Sequence, residues 1–243
     1  VGLIAIPTLG RGVLAVSLSQ PPVFRSESDS GDGDSLGICP APAGILNGDC
    51  LVAIACYLND NPTGTPGTVT CTPPAGFTSR SKQTYSFTGG GAVANQQLNL
   101  EVFTKFALSE SGSYTFALST NDAGASAYSN VIMLAYSGVN VAQPVGVVAA
   151  STYAPSSSSG SASVSATVGR NGSLLLWIFA GLSTDASLPA GFTARATDVD
   201  GVHGVAELQT RYGPTGTVSG TVAGDAQTQN GGIAMLLALQ PKG

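Results

Sequence analysis

Hydrolytic chemistry on this chain would have to be assembled from few parts. The 243-residue sequence has one histidine, His203, in the run DVDGVHGVAEL. A nucleophilic triad needs an imidazole beside a serine raised on a sharp turn, and no Gly-x-Ser-x-Gly elbow accompanies His203. Paired carboxylates for glycoside hydrolysis would come from scattered residues such as Glu101, Asp122, Glu207 and Asp225. The densest acidic run, ESDSGDGDS (27–35), offers Asp29, Asp32 and Asp34 as oxygen ligands on a glycine-rich loop, the chemistry of a Ca²⁺ site. Its spacing is not that of an EF-hand and no bidentate glutamate follows, so a solvated acidic turn is the favoured reading. These residues point away from an enzyme.

Cys39, Cys50, Cys56 and Cys71 all fall in the first half of the chain. With one histidine and no CxxC spacing they do not form a zinc site, and neither metal nor cofactor is expected. Comparison of the two halves favours a Cys56–Cys71 disulfide that staples the loop NDNPTGTPGTVT, worth about 3 kcal/mol on the chain-entropy account. Cys39–Cys50 would be the second bridge, and four small buried thiols are the alternative. Bridges would imply an extracellular or particle-borne protein.

The halves are comparable because the chain repeats itself. PPAGFTSRSK (73–82) recurs as LPAGFTARAT (188–197). Anchored on Phe77 and Phe192, AGILNGDCLVAIACY (43–57) faces VGRNGSLLLWIFAG (168–181), each with an Asn-Gly pair before an apolar run. LNLEVFTKF (98–106) faces the region VAELQTRYG (205–213), and matching the charges sets Glu101 with Glu207 and Lys105 with Arg211. NVIMLAYSG (130–138) faces GIAMLLALQ (232–240), setting Met133 with Met235. Four blocks in one order read as an internal duplication of a unit near 100 residues. In the shared phrase Pro74, Gly76 and Phe77, and again Pro189, Gly191 and Phe192, have the chemistry of a turn that drops an aromatic into a core. A ligand loop built on Arg80 and Arg195 is the functional alternative. Same-face pairing with Lys105 and Arg211 explains Glu101 and Glu207 better than acid–base work.

The elements that carry these residues read as strands. Gly (32 residues) and Pro (14) punctuate short Val/Ile/Leu/Thr/Tyr runs, and 43 % of residues are hydrophobic, too many for a disordered chain. Residues 98–106 alternate as a strand with one wet face does, whereas 131–136 and 174–179 (LLLWIF) are apolar on both faces, like strands covered on each side. The expected fold is all-β: two tandem antiparallel β-sandwiches, jelly-roll-like, spanning 23–143 and 144–243. Residues 1–22 are expected to be an extra strand or a docking arm. Trp177 belongs to the core, while Tyr57, Tyr85, Tyr128 and Tyr153 are the aromatic residues that sugar binding could use. Net charge −5 without a basic cluster argues against nucleic acid, and no stretch is long and apolar enough to cross a membrane as a helix.

GD-x-L-V-A-I (48–54), P-A-G-F-T (74–78), L-x-V-F-x-K (100–105), S-Y-T-F (113–116) and L-A-Y-S-G-V (134–139), after V-F-R-S-x-S (23–28), resemble a family of tailed-bacteriophage virion proteins. The likeness covers about 23–140, is faint beyond, and departs in having Phe77 where the family has Trp. It implies a structural virion-surface protein, of the capsid decoration (cement) or head-fibre type, with major capsid or tail proteins as partners. A homo-oligomer, with a trimer favoured, is expected from the symmetry of capsid sites. The alternative is a receptor- or carbohydrate-binding adhesin or tail-fibre module.

Overall fold

A computed structural model describes residues 20–31, 36–60, 67–87, 96–121, 126–153, 161–181, 190–197, 203–209, 217–223 and 232–243. For 203–209 and 217–223 the description is of the backbone. The chain is all-β, with no helix among the described residues.

The first half forms β1 (Val23–Asp29), β2 (Leu36–Pro40), β3 (Cys50–Asp60), β4 (Val69–Thr72), β5 (Thr78–Ser86), β6 (Gln96–Phe106), β7 (Ser113–Thr120) and β8 (Ser126–Ser137). The second forms β9 (Val145–Tyr153), β10 (Ser161–Thr167), β11 (Leu174–Gly181), β12 (Thr193–Thr197), β13 (His203–Gln209), β14 (Thr217–Ala223) and β15 (Gly232–Leu239). Five strands in the order β1-β8-β3-β6-β5 make one large antiparallel sheet, and β12-β13-β11-β15-β9 make the other. Each carries a small sheet on its outer face, β2-β7-β4 in the first half and β10-β14 in the second.

The two large sheets stack on each other, β1 against β12 and β5 against β9 and β15. The core therefore has three layers, and the middle one belongs to both halves. Along β3, Cys50, Val52, Ile54 and Cys56 face the central layer, while Leu51, Ala53, Ala55 and Tyr57 face the small sheet. Along β11, Leu174, Leu176 and Ile178 face the centre, and Leu175, Trp177 and Phe179 face outward. The period-2 geometry of a strand makes this division automatic. It also explains why LLLWIF is apolar throughout: one face covers its own half and the other the neighbouring half. Each fully buried aliphatic side chain contributes about 1.5–3 kcal/mol, so the shared layer binds the halves strongly.

The strand order of the first half recurs in the second. β1, β8, β3, β6 and β5 occupy the places of β9, β15, β11, β13 and β12, and β2–β7 pairing matches β10–β14. Two irregularities recur with it. The β5–β6 register skips Arg80, and the β12–β13 register skips Arg195. The β1–β8 register skips Arg25, and the β15–β9 register skips Gly146. A bulge costs ladder hydrogen bonds and re-aims the strand, so its recurrence at matching places is a specified feature.

Register also corrects two of the expected alignments. Met133 lies opposite Ala53 and faces outward, whereas Met235 lies opposite Ile178 and faces the central layer. Setting them together is a slip of one residue, which in a strand exchanges the two faces. Glu101 pairs with Ala55 and Lys82, while Glu207 pairs with Leu176 and Thr193. Thr193 follows Phe192 as Thr78 follows Phe77, and Thr78 pairs with Thr104. The counterpart of Glu207 is therefore Thr104, and Glu101 and Glu207 are not equivalent.

Candidate functional site

Two clusters of charged side chains brace the first half. At mid-strand, Glu101 on β6 is 8 % exposed, yet its carboxylate is fully engaged. Tyr57 Oη donates to its Oε2 at 2.8 Å and Ser79 Oγ donates to its Oε1 at 2.7 Å. Burial, reinforced by the charge and hydrogen bond of Glu101, holds the Tyr57 phenol well above its ordinary pKa. Lys82 sits 5.3 Å from the centroid of the Tyr57 ring and donates from Nζ to the Val69 carbonyl at 3.1 Å. Glu101 therefore ties β3, β5 and β6 together beneath the outer sheet. The expected pairing of Glu101 with Lys105 does not form, because Lys105 turns to Glu110 at 2.9 Å.

The second place is the end of the molecule where β3 begins and β6 ends. Glu110 accepts from Lys105 Nζ, from Tyr114 Oη and from the Leu108 amide. Burial pushes its carboxyl up, but those three donors outweigh it and hold the pKa below the usual carboxylate range. Lys105 also lies over the rings of Phe77 and Tyr114, 5.7 and 5.1 Å from their centroids. Nearby, Arg25 and Asp49 pair at 2.6 Å, and Asp49 Oδ2 accepts the Leu46 amide at 2.8 Å. Asp49 and Glu110 were missed from the sequence; the one available sign was an acidic residue directly beside a turn, Asp49 after Asn47-Gly48.

The twice-written phrase now has a structural account. Phe77 N donates to the Pro74 carbonyl at 3.3 Å and Gly76 has φ +89°, a turn closed by the one residue type that takes this conformation freely. Gly191 has φ +85°. Phe77 packs edge-on against Tyr114 and Phe116, and Phe192 edge-on against Trp177, each in the outer layer of its own half. Pro189 lies outside the described residues. The arginines that close the phrase are the two bulge residues. Arg80 Nε donates to Thr104 Oγ1 at 2.6 Å, and the Arg195 guanidinium lies 4.3 Å from the Phe24 ring centroid, across the boundary between the halves.

The cysteines are free, which corrects the expected bridges. Cys56 faces the central layer while Cys71 packs on the outer one; Cys50 faces the centre while Cys39 faces outward. In both expected pairs the large sheet stands between the sulfurs. Pairing Cys50 with Cys56 fails too, since they lie six residues apart along β3, about 20 Å. Burial pushes the thiols of Cys50 and Cys71 up to about 12 and that of Cys39 to about 11, away from reactive thiolate.

Asp29 Oδ1 accepts the Gly31 amide at 2.9 Å, a local turn contact, while Asp32 and Asp34 lie outside the described residues. Among the described residues no three His, Cys, Asp or Glu side chains group as metal ligands. The His203 backbone starts β13 opposite Ala180, and its side chain, like that of Glu207, lies outside the description. Trp177 is fully buried. Tyr57 is 1 % exposed and Tyr85 packs edge-on against Phe87, so neither forms an open sugar platform; the side chains of Tyr128 and Tyr153 are outside the description. Among the described residues no helix is long and apolar enough to cross a membrane. Compared with known proteins, the chain matches no family model, no curated protein and no solved structure.

Proposed function

We propose that this chain is a non-catalytic structural component of a virion surface, of the capsid-decoration or head-fibre type, descended from a duplicated sandwich unit. The observation that carries the reading is where the chemistry-bearing groups are spent. Glu101, Asp49 and Glu110 each hold two or more strands or turns together, and desolvation keeps the Cys39, Cys50 and Cys71 thiols protonated at neutral pH. An apolar layer shared by both halves makes one stiff block, which suits a part that works by shape and contact area. Large assembly contacts of about 2,000 Å² or more bind tightly without reactive groups. Major capsid or tail proteins are the partners in this reading, and a trimer is the favoured oligomer. The test is co-purification: the chain should follow tailed-phage particles through a density gradient at a fixed copy number. Its recovery only in the soluble fraction of the lysate would refute the reading.

A further inference from the structure

Among the described residues five large apolar side chains are exposed; Ile38 stands apart on the outer face of β2, opposite Thr115, and the other four gather at one end. Val23, Leu46, Leu108 and Val141 are 52, 56, 76 and 64 % exposed, and all four lie at the end where β1 and β3 begin and β6 and β8 finish. The second half ends there too, since Lys242 N donates to the Gly138 carbonyl and Asn140 N to the Gln240 carbonyl. These side chains stand on pinned loops. Leu108 projects from a turn held by its own amide on Glu110, by Ser109 N on Asn47 Oδ1 at 2.6 Å, and by Gly48 N on the Ala107 carbonyl. Ser109 takes φ +56°, a strained conformation for a residue with a side chain. Leu46 is fixed by its amide on Asp49.

The same end is cationic. Among the described residues Arg25, Lys105, Arg170 and Lys242 lie at it and Arg80 reaches toward it through Thr104, in a chain whose net charge is −5. Arg25 and Lys105 are matched by Asp49 and Glu110; Arg80, Arg170 and Lys242 add positive charge. We propose that this end is the docking face of the chain, and that its occupant is a protein surface with an apolar recess edged by carboxylates. The proposal rests on the reading of the chain as an assembly part and names the surface through which it attaches. Charge complementarity selects an acidic partner, and arginine's planar fork suits carboxylates. Rigid aliphatic projections reduce the ordering cost of binding. The exposed apolar residues at this end are aliphatic, without the Trp and Tyr typical of a membrane interface.

The test is selection of a displayed random 12-residue peptide library on the full chain, followed by anisotropy titration of a selected peptide. The expected peptides place Asp or Glu beside aliphatic or aromatic residues. Leu108→Asp should weaken their binding by about tenfold or more, as loss of a central contact does, and Arg170→Glu should weaken it and flatten its salt dependence. Thr115→Asp, on the exposed face of β7, should leave it unchanged. Leu108 is largely in water, so Leu108→Asp should keep the parent melting temperature. Peptides indifferent to Leu108→Asp, or rich in Lys and Arg, would overturn the proposal. So would self-association by light scattering that Leu108→Asp abolishes, which makes a second copy the occupant, or Leu108-dependent binding to phosphatidylserine vesicles. The selection uses no particles, so its failure leaves the virion reading standing, and failure of co-purification leaves the docking face standing.

Discussion

Truncating Leu134 to alanine tests whether the halves share one core. Leu134 lies on β8 in the first half, is fully buried, and faces the central layer opposite the second half's sheet. Removing its isobutyl group deletes packing from both sheets, and a fully buried Leu→Ala change costs about 2–5 kcal/mol. The layer is bounded by two hydrogen-bonded sheets that cannot close independently onto the gap, which places the cost at about 3 kcal/mol or above. The assay is urea unfolding followed by the fluorescence of Trp177, the sole tryptophan, which sits in the outer layer of the other half. With a denaturant slope of about 3 kcal/mol per M, the Trp177 midpoint should fall by about 1 M. Far-ultraviolet dichroism should give the same shift. An unmoved Trp177 transition, with loss of only a first-half signal, would refute the shared core.

Other outcomes follow from the same contacts. With folded thiol pKa values raised to about 11 and 12 against 9.0 for the free group, stability is fully present below pH 9 and declines as pH rises from there toward 12. Melting temperature against pH checks this, and a flat profile between pH 9 and 11 would contradict it. Native protein at pH 7.5 should likewise show four thiols that react with a disulfide reagent only after denaturation. Asn130 is 7 % exposed and neither polar atom of its side-chain amide has a hydrogen-bond partner, so Asn130→Leu should stabilise by about 1–3 kcal/mol in calorimetry. Gly76→Ala and Gly191→Ala should each destabilise by about 1–2 kcal/mol, since both positions require positive φ; a neutral result at either would detach the turn from the fold's stability.

Much of the fold was legible because strands announce themselves by period. Doubly apolar runs such as LLLWIF identified the covered strands, and the repeated phrase located the same turn in both halves. Sequence could not say what covered the second face. A sheet packed on its own small sheet and on its sister sheet leaves the same pattern as one sandwiched by any two layers. The bridges were misplaced for a related reason: spacing along the chain does not reveal that Cys56 and Cys71 lie on opposite sides of a sheet. Alignment by composition set Met133 with Met235, and only hydrogen-bond register exposes a one-residue slip. The cationic, apolar end was invisible because Leu46, Leu108 and Val141 come from separate turns, and isolated apolar residues in turns carry no pattern.

In the proposed role this chain is a passive part mounted on a particle. Electron cryomicroscopy of tailed-phage particles carrying the chain, compared with particles lacking it, tests this most directly. The expected difference density lies on the outer surface and accommodates two stacked five-stranded sheets, with the end bearing Leu108 and Arg170 turned toward the shell or tail. Identical maps, with the protein found instead free in solution or acting on a substrate, would contradict the claim.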